Sequence, residues 1–365
     1  MGWLRGLPVG EKPHYDATAT ESMATDPNAN PNEGCRDLTV RRIQLGNTVF
    51  EGRNAVYVLD GTDGGIGLVD AGVATRGTRD ELAAGLAEFG YGLADVDEVV
   101  LTHWHADHAG LAGEIQAESG ATVRVHDADA DLVSGDQAAW DRYRDIETRR
   151  FEEWRIPAGP RAELRSFLDA HADVQGGAVD VTPFSDGDSL RIGGYALDVV
   201  HLPGHAAGLS GFAFDAGDGR EAFVGDAILP KYTPNVGGAD LRVDSPLQQY
   251  VESLGRVVDA GWTRAWPGHR DPIDAPVERA RTILDHHRER TSRVVDVLST
   301  HGPCDVWTVS AHLFGELERI HILHGPGEAW AHLDHLHEAG VVDRDDHAYA
   351  LVDEDVDVGS LFPEV

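Results

Sequence analysis

Thr102-His103-Trp104-His105-Ala106-Asp107-His108-Ala109-Gly110 packs three imidazoles and one carboxylate into the six residues 103–108. Imidazole and carboxylate together suit a borderline divalent ion such as Zn²⁺. His103 and His105 stand two apart, so an extended or turning segment can aim both at one ion and leave Asp107 and His108 for a second. Val96-Asp97-Glu98-Val99-Val100-Leu101, just before, reads as a buried strand. Ala109-Gly110-Leu111, just after, opens a helical stretch to about Ser119. The cluster therefore falls on a strand-to-helix loop, where α/β sheets carry their sites. The chain holds 19 His, so a chance cluster is the competing reading, and segments far away in sequence decide against it.

Val199-Val200-His201-Leu202-Pro203-Gly204-His205 places His205 on a Pro-Gly turn after a strand. Ala222-Phe223-Val224-Gly225-Asp226 ends an apolar strand on an acid, and Ala265-Trp266-Pro267-Gly268-His269 repeats the strand-then-Pro-Gly-His arrangement. At these points the sequence resembles the metallo-β-lactamase superfamily. Its HxHxDH signature matches His103, His105, Asp107 and His108, and its later ligand positions match His205, Asp226 and His269. An earlier element, an Asp ending a strand, matches Asp70 in Leu68-Val69-Asp70-Ala71-Gly72. The resemblance implies a four-layer αββα sandwich with all ligands at one edge. It implies two divalent metal ions per chain: His103, His105 and His205 on the first, Asp107, His108 and His269 on the second, and Asp226 bridging. Asp70 is the candidate for orienting a ligand His through its free N–H, or alternatively a helix-capping acid.

The chain has 365 residues, enough for one sizeable domain and a small one. Asp and Glu number 63 against 30 Lys and Arg, a formal net charge of −33, and the only lysines are Lys12 and Lys231. So much acid and so little lysine point to a halophilic, cytoplasmic protein bathed in molar salt, where charges are screened within ~3 Å. The alternative is an ordinary acidic protein burdened by self-repulsion. Cys35 and Cys304 lie too far apart in sequence to suggest a disulfide framework. No segment has the length of a membrane span. Residues 1–37, with no apolar run that would make a signal peptide, read as a disordered tail, and Met23 is an alternative start.

Strands are expected over residues 38–43, 54–59 and 65–69, with a turn at Asp60-Gly61-Thr62-Asp63-Gly64 between the last two. Leu82, Leu86 and Phe89 recur at helical spacing within residues 78–89. Another strand falls at 122–125. Residues 137–172 read as two amphipathic helices, with Trp140, Tyr143, Phe151, Trp154 and Phe167 either packed on the core or walling a substrate pocket as a lid. Strands follow at 190–192, 195–202, 211–214 and 221–224, completing a hydrolase domain over 38–275. Helical stretches at 276–297, 306–317 and 329–339, then a hairpin over 340–351, make a winged-helix-like unit over 276–365. His332 and His335, one turn apart, are a candidate ligand pair, with surface-exposed helix histidines the favoured reading. Leu333 and Leu336 are expected to face the core.

After Asp226, the stretch Leu229-Pro230-Lys231-Tyr232-Thr233-Pro234-Asn235 looks like the branch of the superfamily with a winged-helix tail, which includes ester and thioester hydrolases and a single-strand ribonuclease. Lys231, Tyr232 and Asn235 are the candidate substrate-binding residues. His105 stands where the oxygen-reducing di-iron branch carries Glu. Zinc is therefore the expected metal, with iron or manganese as alternatives. The antibiotic-hydrolysing branch lacks an acid equivalent to Asp226, and the glutathione-thioester branch has basic residues near its C-terminus that are missing here. Two ions about 3.5–4 Å apart can share a hydroxide and lower its pKa, with Asp107 as the catalytic carboxylate that steers it and shuttles a proton. The expected reaction is hydrolysis of an ester, thioester or lactone of a small molecule, the alternative a metal-dependent endoribonuclease. Residues 281–365 hold 6 Arg, no Lys and 17 Asp plus Glu, a net of −11. Phosphate binding needs a basic footprint, so the tail is expected to shape the protein or a homodimer, through Trp307, Phe314 and Trp330, and not to read nucleic acid.

Overall fold

The computed structural model describes residues 40–46, 52–61, 65–217, 219–353 and 355–363. The predicted N-terminal tail and the centre of the turn at 62–64 lie outside the described residues. Six strands form one sheet in sequence order: β1 (Arg41–Gln44), β2 (Ala55–Asp60), β3 (Ile66–Val69), β4 (Val96–Val100), β5 (Thr122–His126) and β6 (Val181–Phe184). The first three pair antiparallel, and β3 to β6 run parallel. A second sheet has the order β11 (Arg264–Pro267), β10 (Arg220–Gly225), β9 (Ser210–Asp215), β8 (Tyr195–His201), β7 (Ser189–Ile192). It is antiparallel except where β10 meets β11.

The period of two along each strand builds the layers. Ala55, Tyr57 and Leu59 of β2 face Phe212 and Phe214 of β9 and Phe223 of β10 in the core between the sheets. Burying each such aromatic contributes about 1.5–3 kcal/mol. The alternate residues Val56 and Val58 join Leu82 and Leu86 of helix α1 (Arg76–Glu88), on the outer face of the first sheet. Ala213, Ala222 and Val224 join Leu247, Tyr250 and Leu254 of α7 (Pro246–Ala260), outside the second. This is the expected αββα sandwich. Strand β6 was not anticipated from the sequence, because Pro183 argues against a ladder. It is tolerated since β6 is the edge of its sheet.

The remaining helices are α2 (Ala106–Ala109), α3 (Ala112–Ser119), α4 (Asp127–Val133), α5 (Gln137–Glu153), α6 (Ala158–Ala170), α8 (Pro276–His301), α9 (Val306–Phe314) and α10 (His321–Glu338). The hairpin is β12 (Val342–Asp345) and β13 (Ala348–Leu351). Asp37–Val365 is one compact unit, with α8 and α10 both packed on α7. Trp140 and Tyr143 of α5 pack edge-on against Trp104, with ring centroids 5.7 and 5.3 Å away. Phe151 and Trp154 enter the core formed by α8, α9 and α10.

Two expectations about the C-terminal region are corrected. α10 starts at His321, well before residue 329, and runs through Gly325-Pro326-Gly327. Those residues look like helix breakers, but the glycines serve a close crossing. A Cβ on Gly327 would collide with the backbone of Gly238, and one on Gly237 would lie 2.5 Å from the Gly327 carbonyl oxygen. The helix and the 235–240 loop thus touch backbone to backbone. The second correction concerns the histidines. His332 is fully buried, with Nδ1 2.7 Å from Thr291 Oγ1 and Nε2 3.4 Å from His287 Nδ1. His335 is buried toward the Leu361 carbonyl. They face different partners, because α10 is covered by neighbours on several sides. Trp330 is also buried within the chain, against Trp154 and beneath the Arg150 guanidinium. Leu333 and Leu336 are buried as expected.

Candidate metal centre

β3, β4, β8, β10 and β11 all end at the same edge of the sandwich, followed respectively by Asp70, His103, His205, Asp226 and His269. The 102–110 stretch leaves β4 as a loop, and α2 then turns Asp107 and His108 inward. Gly268 is needed where β11 ends: a Cβ there would collide with His108 Cε1 and approach Asp226 Oδ1 to 2.7 Å.

Three groups of donors result, each with its ligand atoms within 4.8 Å of one another: His103, His105 and His205; His103, His108 and Asp226; Asp107, His108 and His269. His105 Nδ1 lies 2.8 Å from His103 Nε2 and 3.1 Å from His205 Nε2. Asp226 Oδ2 lies 3.7 Å from His205 Nε2 and 3.4 Å from His269 Nε2, while its Oδ1 lies 3.6 Å from His108 Nε2. Asp107 Oδ2 lies 3.4 Å from His269 Nε2 and 4.0 Å from His108 Nε2.

Each imidazole is fixed from behind. The outer nitrogens meet oxygen acceptors: His103 Nδ1 on Thr102 Oγ1 (3.0 Å), His105 Nε2 on the Ala239 carbonyl (3.0 Å), His108 Nδ1 on Asp70 Oδ2 (2.8 Å). His205 Nδ1 meets the Asn235 carbonyl and His269 Nδ1 the Gly52 carbonyl, both at 2.9 Å. An outer N–H donated to oxygen turns the inner lone pair toward the cluster, the arrangement that metal-ligating histidines adopt. Asp70 also accepts from Thr102 N (2.7 Å) and Thr102 Oγ1 (3.0 Å), whereas the cap of α1 is Thr75. His108 Nε2, His269 Nε2 and Asp226 Oδ1 are buried with no hydrogen-bond partner. Such orphaned inward-facing atoms are costly unless a cation meets them, so the donor set fits divalent metal.

The electrostatics divide the centre in two. Burial pushes His103 well below its ordinary pKa and His105 down to about 4, each helped by neighbouring imidazoles. Burial opposes charge on His108 and His269 too, but Asp226 first, with Asp107 and, for His108, Asp70, outweighs it. His108 is held well above its ordinary value and His269 is raised to about 10. Against their own burial, Asp107 and Asp226 are held well below the carboxylate range by His108 and His269. At one end burial keeps His103 and His105 neutral, and at the other the carboxylates face charged His108 and His269.

Of the candidate substrate residues, Lys231 and Tyr232 are exposed. Asn235 turns away: its amide nitrogen reaches the His324 carbonyl (3.1 Å), and its Oδ1 accepts from Gly238 N (3.1 Å). Its side chain shapes the loop whose carbonyls hold His205 and His105. Sequence reasoning missed Asn54, whose Nδ2 donates to Asp107 Oδ2 at 3.3 Å. It also missed a buried ionic group behind the metal loops. Arg242 binds Asp129 and Asp240, which in turn accept from Trp104 N and Nε1, Ala207 N and Gly208 N. The signal in Asp240-Leu241-Arg242 is only local charge alternation, which surfaces also show.

Residues 49–269 match the family model described as the metallo-beta-lactamase superfamily. Over 288 residues the chain is 28% identical to the Bacillus subtilis (strain 168) protein named "Probable metallo-hydrolase YqjP", covering 77% of this chain and 86% of that one. It resembles the solved structure of a metallo-beta-lactamase family protein from Thermus thermophilus, with 31% identity, TM-score 0.68, and coverage of 86% of this chain and 98% of the other. A beta-lactamase domain protein from Burkholderia ambifaria shares the fold at TM-score 0.71 and 24% identity, over 86% of this chain and 92% of that one.

Proposed function

The chain belongs to the metallo-beta-lactamase superfamily and is a metal-dependent hydrolase; from that premise we propose that it binds two divalent ions, zinc in the first instance, and cleaves an ester, thioester or lactone of a small molecule. The observation that carries this reading is Asp226, whose two oxygens reach imidazoles of both donor groups. His103, His105 and His205 would hold one ion, Asp107, His108 and His269 the other, with Asp226 shared. The ions, when bound, would polarise the scissile carbonyl and lower the pKa of water between them. The chain's own residues do the rest. The carbonyls of Gly52, Asn235 and Ala239, with Thr102 and Asp70, fix the ring orientations. Asp107, kept deprotonated and steadied by Asn54, accepts from the attacking water and relays its proton to the leaving group.

The test is metal stoichiometry together with chelator-sensitive hydrolysis. Dialysed protein is expected to retain about two ions per chain. Loading metal-free protein at pH 7.5 should release protons. The signs follow from the raised pKa values: His108 and His269 are protonated at that pH, ligands must bind metal unprotonated, and affinity therefore climbs as pH rises. Clearly fewer than one ion per chain, or hydrolysis indifferent to chelator, would sink the reading.

A nucleic-acid role for residues 276–365 is opposed by the charge of −11 over 281–365. We retain those residues as a winged-helix-like module that shapes the protein, with the half-buried Trp307 and Phe314 as its candidate dimer contacts. We also propose that the fold is adapted to molar salt. The hairpin tip alone sets Asp343, Asp345 and Asp346 together in solvent, and the whole chain carries −33. Melting temperature should rise by on the order of 10 °C between dilute buffer and molar KCl as repulsion is screened. An unchanged value would refute the adaptation.

A further inference from the structure

Among the described residues, three cations without an ion pair stand near His269 or its chain neighbour Arg270. Arg53 follows Gly52, whose carbonyl holds His269 Nδ1, and precedes Asn54, which reaches Asp107. Arg270 directly follows His269, with its guanidinium 4.7 Å from the centre of the Tyr232 ring. Lys231 Nζ lies 5.4 Å from that same ring. Tyr232 is 45% exposed, on the loop that links Asp226 to Asn235. One aromatic platform thus carries two cations, one of them next to His269 in the chain, while Arg53 lies between the two residues that contact His269 and Asp107.

None of the three has a carboxylate in ion-pair reach among the described residues. Arg42 takes Asp271, the acid nearest Arg270 in sequence, at 3.2 Å. Elsewhere the chain pairs its arginines readily, as in Arg220 with Asp198, Arg256 with Asp186 and Arg264 with Asp274. Arg53 and Arg270 also both hold left-handed backbone, at φ 41° and 67°, a conformation that side-chain-bearing residues seldom adopt. Arg42 fixes the second of these turns through a 2.6 Å bond to the Arg270 carbonyl. The turns direct the chain on either side of His269.

We propose that Arg53, Lys231 and Arg270, with Tyr232, form an anion-reading rim, and that the substrate carries a carboxylate or phosphate group beside the bond that is cleaved. This rests on the hydrolase reading above and narrows it. Arginine suits the planar carboxylate or phosphate and lysine supplies a point charge. The aromatic face accommodates the apolar part of such a ligand while the cations lie over it. Short-range ion pairs of this kind retain value in salt that screens long-range steering.

The test uses the metal-loaded full chain at constant ionic strength. Substrates are matched ester and thioester pairs that differ only in a terminal carboxylate or its methyl ester, with a phosphate-terminated member added. A short single-stranded RNA is the comparison. The anionic members should be preferred in kcat/KM by about tenfold or more, the effect of one contact to a charged group. That preference should fall by a similar factor in Arg270→Gln and in Lys231→Gln. Arg264→Gln, which removes a cation paired with Asp274, should leave the ratio in place. Equal rates on charged and neutral members, with the ratio unmoved by the variants, overturn the rim while leaving the hydrolase reading intact. RNA cleaved in preference to every small substrate overturns the small-molecule assignment. Hydrolysis of none of them removes the parent reading and this one together.

Discussion

Asp226→Ala is expected to bring metal content from about two ions per chain to one or fewer and to reduce hydrolysis by about 10³-fold or more, since metal stabilisation of the transition state supplies several kcal/mol at about 1.4 kcal/mol per tenfold. Asp226 is the carboxylate whose oxygens approach His205, His108 and His269 at 3.4–3.7 Å, so its loss touches both donor groups. It is also the leading group that holds His108 and His269 in their charged forms. Without it those imidazoles lose their main partner, and two cations are left facing one another in a buried site. Asp226→Asn keeps the shape and removes the charge, so it separates metal loss from packing. Both variants should show similar metal deficits. A variant that keeps two tightly held ions and the parental rate would refute the shared role of Asp226.

The donors were legible because coordination chemistry imposes short, recognisable spacings. His103, His105, Asp107 and His108 announce themselves within one loop, and His205 and His269 each follow Pro-Gly at the end of an apolar run. The strands were legible for the same kind of reason: β2 alternates residues between two cores, and the period survives in the sequence. What was not legible depends on contacts between distant segments. Gly325-Pro326-Gly327 looks like a helix stop until the 235–240 loop is seen lying against it. His332 and His335 look like surface residues until α8 and the C-terminal turn cover them. Asn235 was a substrate candidate because it ends the Leu229–Asn235 stretch that resembles one branch of the superfamily, yet its amide closes the loop on itself and on α10. Asp129 could not be distinguished from the other acids, since only the fold brings it to Arg242, and Asp240, two residues before that arginine, reads as surface charge alternation.

That buried ionic group leads to the other large effect. Arg242→Met should cost about 3–5 kcal/mol of stability, because it leaves buried charges uncompensated. The guanidinium donates to Asp240 Oδ1 through Nε (2.9 Å), to Asp240 Oδ2 and Asp129 Oδ1 (both 2.6 Å), and to the Ala128 carbonyl (2.7 Å). Both carboxylates are fully buried. Burial raises Asp129 to about 6 even with Arg242 present, while Asp240 is held below the carboxylate range against its own burial, chiefly by Arg242. Removing the cation pushes both upward. A carboxyl whose folded pKa lies above its unfolded one stabilises when protonated and loses that contribution as pH rises through the folded value. The penalty in Arg242→Met should therefore be smaller near pH 5 than near pH 8, a trend that simple loss of packing does not produce. Asp129→Asn added to Arg242→Met removes one of the stranded charges and should recover part of the loss at pH 8. Function should follow, because Asp129 and Asp240 accept from Trp104, Ala207 and Gly208. These residues flank His103, His105 and His205, so loosening them weakens the imidazole trio before the Asp107, His108 and His269 group. Denaturant unfolding at the two pH values, with metal content measured on the folded protein, checks both parts. A pH-independent penalty, or none at all, would show that Arg242 merely fills space.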